Sequence, residues 1–162
     1  MTELYCYLMM RTDLPSLGHG KALAHAHHAG SHLTWNLVAE PLLRNEEVHP
    51  DVLEWHRAAG GFGTCLAVGG TDQITLGVLE EVTAAASALG HRSGLVVDPT
   101  YPHIVDAEMF ALMDQARFSM EARRTRGGFV TFRRETTCGW ILGEKAKLEV
   151  ILKRFDLVPN EK

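Results

Sequence analysis

The sequence of 162 residues has little that points to a membrane protein, a disulfide-stabilised fold or a general polyanion binder. No apolar run is long enough to cross a bilayer and no secretory signal precedes the first strand-like segment, so we expect a cytoplasmic protein with no membrane partner. Cys6, Cys65 and Cys138 are an odd number without zinc-ligand spacing, which favours reduced, buried thiols. A net charge of -4 argues against nucleic-acid binding by the chain as a whole.

Positive charge is nevertheless concentrated in one segment. Residues 123–134 contain no acidic residue and carry these five arginines: Arg123, Arg124, Arg126, Arg133 and Arg134. A cluster of this kind is either a solvated face or a local phosphate-binding patch. The second interpretation allows an acidic chain to bind nucleic acid through one surface.

The hydrophobic pattern predicts an α/β fold. The length predicts a single domain, and 46% hydrophobic with 22% charged residues is typical of globular proteins. The predicted strands cover 4–10, 64–68, 94–97, 129–132 and 137–142, and the predicted helices begin near 21, 50, 74, 107 and 144. We therefore expect a four- or five-stranded mixed sheet flanked by helices on both faces, with an insertion at about 105–130.

A lysine stands at the start of the first predicted helix. Gly18 and Gly20 break the chain before it, and the unpaired N–H groups of a helix start can hold an anion together with Lys21. The pattern is not a Walker loop, because Pro15 and Ala22 replace its first glycine and its magnesium-binding hydroxyl residue. The alternative is a surface lysine beside an ordinary turn.

Three histidines follow Lys21 on the same helical face. His25, His28 and His32 stand four, seven and eleven residues after it. His28 can act on a substrate or hydrogen-bond behind Lys21, or the histidines can simply be solvated. No acidic residue shares their face and no HExxH motif occurs, so we expect neither a metal ion nor another cofactor.

Asp98 follows the third predicted strand and is the main candidate for handling water. Ligands of open α/β sheets bind at the carboxyl ends of the strands, although an aspartate at such a place also commonly begins a turn. Arg11 and Asp13 end the first strand. They would lie near Asp98 if the two strands were parallel neighbours, and we interpret them as a structural ion pair rather than as catalytic groups.

Several motifs resemble the type 2 peptidyl-tRNA hydrolases of archaea and eukaryotes. The segments MMRTDL (9–14) and LGHGKALA (17–24), followed by His28-Ala29, are similar to the family pattern V-V-R-x-D-L-x-M-G-x-G-K-x-A-A-Q-x-x-H-A. Weaker similarities continue over most of the chain. They lie at Trp55 with Gly60, at 71–89, at 94–98 and from Thr136-Thr137 to Gly143.

The resemblance implies a hydrolase that cleaves the ester between a peptidyl (or other acyl) group and tRNA, without a cofactor, and that can form a homodimer. The functional residues that match are Lys21, His28 and Asp98, with Thr136 or Thr137 in addition. The chain departs from the family pattern in four places. His25 replaces the usual glutamine, and residues 99–103 replace A-G-R-T-Q and so remove a loop threonine. Residues 105–130 are extra, and the loop before Cys65 lacks the usual lysine.

The implied chemistry assigns a role to each candidate. Ester hydrolysis needs an aligned water, a proton acceptor and positive charge near the developing oxyanion. Asp98 would orient or deprotonate water, Lys21 would stabilise the oxyanion or hold the terminal phosphate, and Thr100 or Thr137 would supply the missing hydroxyl. We expect Lys21 and Asp98 to face one cleft. The candidate substrate-binding residues are Gly18, Gly20, Arg11, Thr100, Arg123, Arg124 and Arg126.

Two other classes of function fit the same sequence. One is a non-catalytic binding module whose insertion at 105–130 forms the partner surface. The other is a small-molecule enzyme that uses the same pocket. Turnover of acylated tRNA distinguishes both from the hydrolase.

Overall fold

The structure, a computed structural model, describes residues 3–14, 19–61, 63–69, 73–115, 122–125 and 128–157. Its helices and strands, in chain order, are β1 (Leu4–Met10), α1 (His19–Thr34), α2 (Glu40–Leu43), α3 (Pro50–Arg57), β2 (Thr64–Gly69), α4 (Leu76–Ala88), β3 (Arg92–Val105), α5 (Ala107–Gln115), β4 (Ala122–Thr125), β5 (Gly128–Glu144), α6 (Lys145–Leu152) and β6 (Asp156–Leu157). A π-helix (Trp35–Ala39) joins α1 to α2, and a 3-10 turn (Ala58–Gly61) follows α3. None of the helices in these ranges combines the length and hydrophobicity needed to span a bilayer.

Four strands form an open mixed sheet in the order β3–β5–β1–β2. β1 runs parallel to β2 and antiparallel to β5. Two short strands extend the pairing, since β6 pairs with β2 and β4 pairs with β5. The predicted α/β class with a mixed sheet is confirmed.

The chain divides into two compact units. The first comprises Met1–Val96 and Thr137–Lys162, and the second comprises Val97–Thr136. The second unit contains α5, β4 and the adjoining parts of β3 and β5. The segment predicted as an insertion at 105–130 is therefore only the middle of this unit, and it holds a strand as well as a helix.

Helices cover both faces of β1. Side chains alternate between the two faces of a strand, so β1 contributes residues to a cluster on each face. On one face, Tyr7 and Met9 belong to a hydrophobic cluster with residues of α4 and α6. On the other face, Leu4 and Cys6 belong to a cluster with residues of α1 and α3. Complete burial of one large apolar side chain stabilises a fold by about 1.5–3 kcal/mol, so each face contributes substantially.

The buried face of α1 includes His25, Ala29 and Leu33, whereas Ala22 and Ala26 are only partly buried. The two alanines carry little apolar area, so burial of the larger imidazole and leucine side chains determines the rotation of the helix. The polar stripe that begins at Lys21 therefore has a buried member.

Two helix starts show the capping chemistry that the sequence indicates. Pro50 occupies the first turn of α3, and His49 Nδ1 accepts a hydrogen bond from Asp51 N at 3.3 Å. Thr75 caps α4 by accepting from Val78 N at 3.4 Å. The helix therefore begins directly after Thr75, close to the predicted start near residue 74.

The predictions for β3 and β5 were wrong in extent. Asp98 does not end its strand, because β3 continues through Pro99 and Pro102 to Val105. Proline removes a backbone donor, and a strand tolerates this at a sheet edge, which is the place of β3 in the strand order. Likewise, Arg133-Arg134-Glu135 does not connect two strands but lies within the continuous strand β5.

Trp140 is the largest fully buried side chain among the described residues of the first unit. Only 2% of its surface is exposed, and its Nε1 donates a hydrogen bond to His32 Nδ1 at 3.0 Å. A Cβ atom added at Gly94 would lie 2.7 Å from the indole ring, so only glycine allows β3 to approach Trp140 this closely. The hydrogen bond requires an unprotonated Nδ1 on His32.

We expect the protein to lose stability through His32 as the pH falls. Burial lowers the pKa of His32 below that of an unfolded chain. The resulting stabilisation is therefore fully present above the unfolded pKa of about 6.5 and is lost as the pH falls through the folded pKa. The free energy of unfolding, measured by urea titration between about pH 7 and pH 5, should fall less for His32→Asn, whose amide oxygen replaces the acceptor without titrating. Equal falls for both proteins would contradict this assignment.

Candidate functional site

A bidentate ion pair stands at the carboxyl end of β1. Arg11 donates from Nε to Asp13 Oδ1 at 2.8 Å and from Nη2 to Asp13 Oδ2 at 2.7 Å. Arg11 is 8% exposed, and the guanidinium lowers the pKa of the Asp13 carboxyl. These contacts agree with the interpretation of the two residues as a structural pair. The predicted substrate-binding role of Arg11 is correspondingly indirect, since its guanidinium holds Asp13.

The backbone around this pair is fixed to two neighbouring segments. Arg11 N donates to Thr137 O of β5 at 3.0 Å. Thr12 N donates to Ile74 O at 2.9 Å, and Ile74 N donates to Thr12 Oγ1 at 2.9 Å. The end of β1 is thus tied both to β5 and to the segment before α4, which gives a rigid base for a site.

Lys21 lies in the first turn of α1 and is half-buried. That turn contains no acidic residue, so the lysine adds its charge to the positive end of the helix dipole. Gly20 does not break the chain as predicted but lies inside α1, and a Cβ atom there would meet nothing within 4 Å. Gly18 lies outside the described residues.

The two histidines after Lys21 differ in exposure. His25 is 3% exposed, whereas His28 is exposed, and their rings meet edge to face with centroids 5.5 Å apart. His25 is also held through its backbone, because Cys138 Sγ donates to His25 O at 3.6 Å. His28 is therefore the member of this pair that a substrate can reach.

Thr137 is fully buried in β5. The prediction that its hydroxyl acts on a substrate needs correction, because the side chain has no access to solvent. Its carbonyl oxygen instead accepts the hydrogen bond from Arg11 N. The neighbouring Cys138 is also fully buried, and burial raises its pKa to about 11. Both residues hold strand and helix in place.

Asp98 and Thr100 belong to the second unit. Asp98 Oδ1 accepts from Thr100 N at 2.8 Å and from Thr100 Oγ1 at 3.4 Å, which is the local turn bonding that the alternative interpretation predicted. Thr100 is exposed. β5 separates β3 from β1 in the sheet, so the condition that β1 and β3 are parallel neighbours is not met. The shared cleft of Lys21 and Asp98 stays a prediction.

The second unit also contains a polar cluster that the sequence did not reveal. Arg133 Nε donates to His103 Nε2 at 2.9 Å, and Glu135 Oε2 lies 3.4 Å from Arg133 Nη2 and 3.5 Å from His103 Nε2. The fully buried Tyr101 packs edge-on against His103, with ring centroids 5.1 Å apart. The signal that could have found the cluster is the period-two spacing of 101 with 103 and of 133 with 135.

The arginine-rich segment forms part of a hairpin. Arg123 and Arg124 lie in β4, opposite Val130 and Phe129 of β5. No strand was predicted between residues 97 and 129, so β4 is a correction. Arg126 lies outside the described residues.

No protein-family model matches this chain, and no curated protein sequence matches it. The grounds for a function are therefore the residues and their geometry, together with the motif resemblance.

A large cavity lies at the other end of β1. It has a volume of about 1330 Å³ and is lined by Leu4, Tyr5 and Trp55 among others. Four carboxylates also line it: Glu3, Glu46, Glu47 and Glu54. This acidic lining opposes phosphate, so the cavity does not suit the anion site predicted around Lys21.

The arrangement around Lys21 suits a reaction in which negative charge develops. An ammonium group at an acid-free helix start can stabilise an oxyanion or a phosphate. The exposed side chain of His28, two turns further along α1, is accessible to a substrate or to water. The Arg11–Asp13 ion pair and the backbone hydrogen bonds of Arg11 and Thr12 hold the end of β1, the strand that precedes α1 in the chain.

Proposed function

We propose that the protein hydrolyses the ester bond between a peptidyl (or other acyl) group and tRNA. The observation that carries the proposal is the half-buried Lys21 in an acid-free helix start, on the helix that follows β1 and the adjoining Arg11–Asp13 ion pair in the chain. In the sequence, these same residues carry the resemblance to type 2 peptidyl-tRNA hydrolases.

The residues divide into acting and positioning groups. Lys21 stabilises the oxyanion, and the exposed His28 exchanges a proton with substrate or water. Asp98 keeps its predicted role of orienting water, and the exposed Thr100 replaces Thr137 as the accessible hydroxyl. Thr137 acts as a positioning residue through Arg11. No step needs a cofactor.

The proposal is tested by turnover of an N-acylated aminoacyl-tRNA by the purified protein. The reaction releases free tRNA and the acyl-amino acid, whereas the same tRNA with an unblocked amino acid serves as the comparison substrate. Tight tRNA binding without turnover would indicate the binding module, and the absence of both would overturn the proposal. The cytoplasmic location and the homodimer belong to the same proposal, and light scattering of the purified protein tests the dimer.

The arginine-rich segment is expected to contact the phosphates of tRNA. Guanidinium groups donate two parallel hydrogen bonds to a phosphate. Each lost contact lowers the slope of log affinity against log salt by roughly 0.7–0.9. Changing Arg123, Arg124 and Arg126 together to serine should therefore weaken tRNA binding and flatten its salt dependence, measured by filter binding at several salt concentrations.

A matched control removes the same charge elsewhere. Arg44, Arg57 and Arg92 are exposed residues of the first unit. Their combined change to serine should leave the salt slope close to that of the wild type. If the two triple variants behave alike, the arginine-rich segment is a solvated surface.

A further inference from the structure

Cys6 and Cys65 lie side by side on the two parallel strands of the first unit. They are direct register partners in the pairing of β1 with β2. Neighbouring strands are about 4.7–4.9 Å apart, and disulfides form between residues whose Cα atoms are roughly 4.4–6.8 Å apart. The strand register therefore places the two Cα atoms at a separation at which disulfides form.

The two thiols differ sharply in access. Cys6 is 1% exposed and belongs to the cluster beneath α1 and α3, whereas Cys65 is exposed. This exposure corrects the expectation that every thiol of the chain is buried. Both cysteines line a cavity of about 630 Å³, together with His27 and His56. A small reagent in this cavity can reach the exposed Cys65 more readily than the buried Cys6.

We propose that Cys6 and Cys65 are a reversible dithiol–disulfide site that reacts with hydroperoxides, with Cys65 as the attacking thiol and Cys6 as the resolving thiol. A metal site explains the pair less well. Within the described ranges, no third histidine, cysteine or carboxylate joins the two thiols to form a group with metal-ligand spacing. Structural zinc sites use four ligands.

The electrostatics support the same division of roles. The thiol of Cys6 donates a hydrogen bond to Cys65, which lowers the pKa of Cys65 and, together with burial, raises the pKa of Cys6. The thiolate is the nucleophile in peroxide and disulfide chemistry. Cys65 is thus the thiol that ionises first and also the one that solvent reaches.

The oxidation proceeds in two balanced steps. The Cys65 thiolate attacks the terminal oxygen of the hydroperoxide, so that an S–O bond forms, the O–O bond breaks, and the alkoxide leaves and takes up the thiol proton as an alcohol. Cys65 is now a sulfenic acid. The Cys6 thiol then attacks the Cys65 sulfur, so that the S–S bond forms, the S–O bond breaks, and hydroxide leaves with the Cys6 proton as water. The dithiol loses two electrons, which the hydroperoxide gains.

Reduction breaks the Cys6–Cys65 disulfide by attack on the exposed sulfur of Cys65. A small thiol attacks Cys65, releases the Cys6 thiol and forms a mixed disulfide, which a second small thiol resolves. Exposed disulfides are the labile, regulatory class, in contrast to buried structural ones. The open position of Cys65 therefore fits a bond that forms and breaks repeatedly.

The test treats the folded wild-type protein with hydrogen peroxide, alkylates the remaining thiols after unfolding and identifies the peptides by mass spectrometry. We expect an intramolecular Cys6–Cys65 disulfide that dithiothreitol reverses, while Cys138 stays a thiol. Cys138 is the internal control, because it is fully buried and its pKa is raised. Recovery of Cys65 as a sulfenic acid with Cys6 still alkylatable, or of a Cys65–Cys65 bond between two chains, would overturn the proposal.

Two variants separate the roles of the thiols. Cys65→Ser should abolish oxidation of Cys6 in the folded protein. Cys6→Ser should leave a sulfenic acid on Cys65 that dimedone traps. Oxidation of Cys6 at the wild-type rate in Cys65→Ser would contradict the assignment. If Cys6→Ser does not fold, the wild-type peptide analysis and the exposed-site variant Cys65→Ser still decide.

Discussion

Replacing Lys21 by alanine is expected to lower kcat/KM for peptidyl-tRNA by about 100-fold or more, the usual effect of removing one oxyanion donor. The loss follows from the position of the residue, because Lys21 is half-buried at the positive end of α1 and no acidic residue lies in that turn. Turnover of an N-acylated aminoacyl-tRNA at low substrate concentration measures the ratio directly. Lys21→Arg keeps the charge and should recover part of the activity.

The matched control is Lys147→Ala. Lys147 is an exposed lysine of α6, and its Nζ lies 2.6 Å from Glu144 Oε1. Its loss removes the same charge and should leave kcat/KM unchanged. If Lys21→Ala and the wild type have equal rates, Lys21 is a surface residue, and the hydrolase proposal loses the observation that carries it.

Trp140→Ala is expected to lower the free energy of unfolding by about 3–5 kcal/mol, the range for large-to-alanine changes at fully buried positions. The indole fills the space above Gly94, and the change would leave both a cavity and an unpartnered His32 Nδ1. Urea unfolding at neutral pH measures the loss. Trp140→Phe fills most of the cavity but removes the donor, so its cost should be smaller.

Trp35→Ala is the control for this stability change. Trp35 is 54% exposed in the π-helix after α1, so removing its ring should change the free energy of unfolding by less than about 1 kcal/mol. Equal losses in Trp35→Ala and Trp140→Ala would show that Trp140 does not anchor the core.

Much of the fold was readable because some segments carry strong local signals. The seven residues of β1 form an unbroken apolar run, and Pro50 marks the first turn of α3. The continuation of β3 through Pro99 and Pro102 could not be predicted. Proline signals a loop locally, and only the place of β3 at the sheet edge makes the missing N–H groups harmless.

The candidate site was predictable in its local part only. Helical spacing predicted that Lys21 and His28 share one face of α1. The closeness of Arg11 and Asp13 in the chain predicted their ion pair. The full burial of Thr137 and the contact of Arg133 with His103 depend on which strands pair, and a single sequence does not encode strand order in local form. Contacts and burial that depend on strand pairing therefore could not be predicted from the sequence.

The outer side of β2 has a consequence for how the protein behaves at high concentration. β6 pairs there with Val68 and Gly69, and Trp55 Nε1 donates to the carbonyl oxygen of Thr64 at 2.9 Å. Of the described strand, only residues 65–67 lie between these two shielded points. An open sheet edge is a template onto which a strand of another molecule can add, and a longer edge binds it more firmly. An opening of three residues offers few backbone hydrogen bonds, so a single indole and a two-residue strand make the β2 edge a poor template for a strand of another molecule.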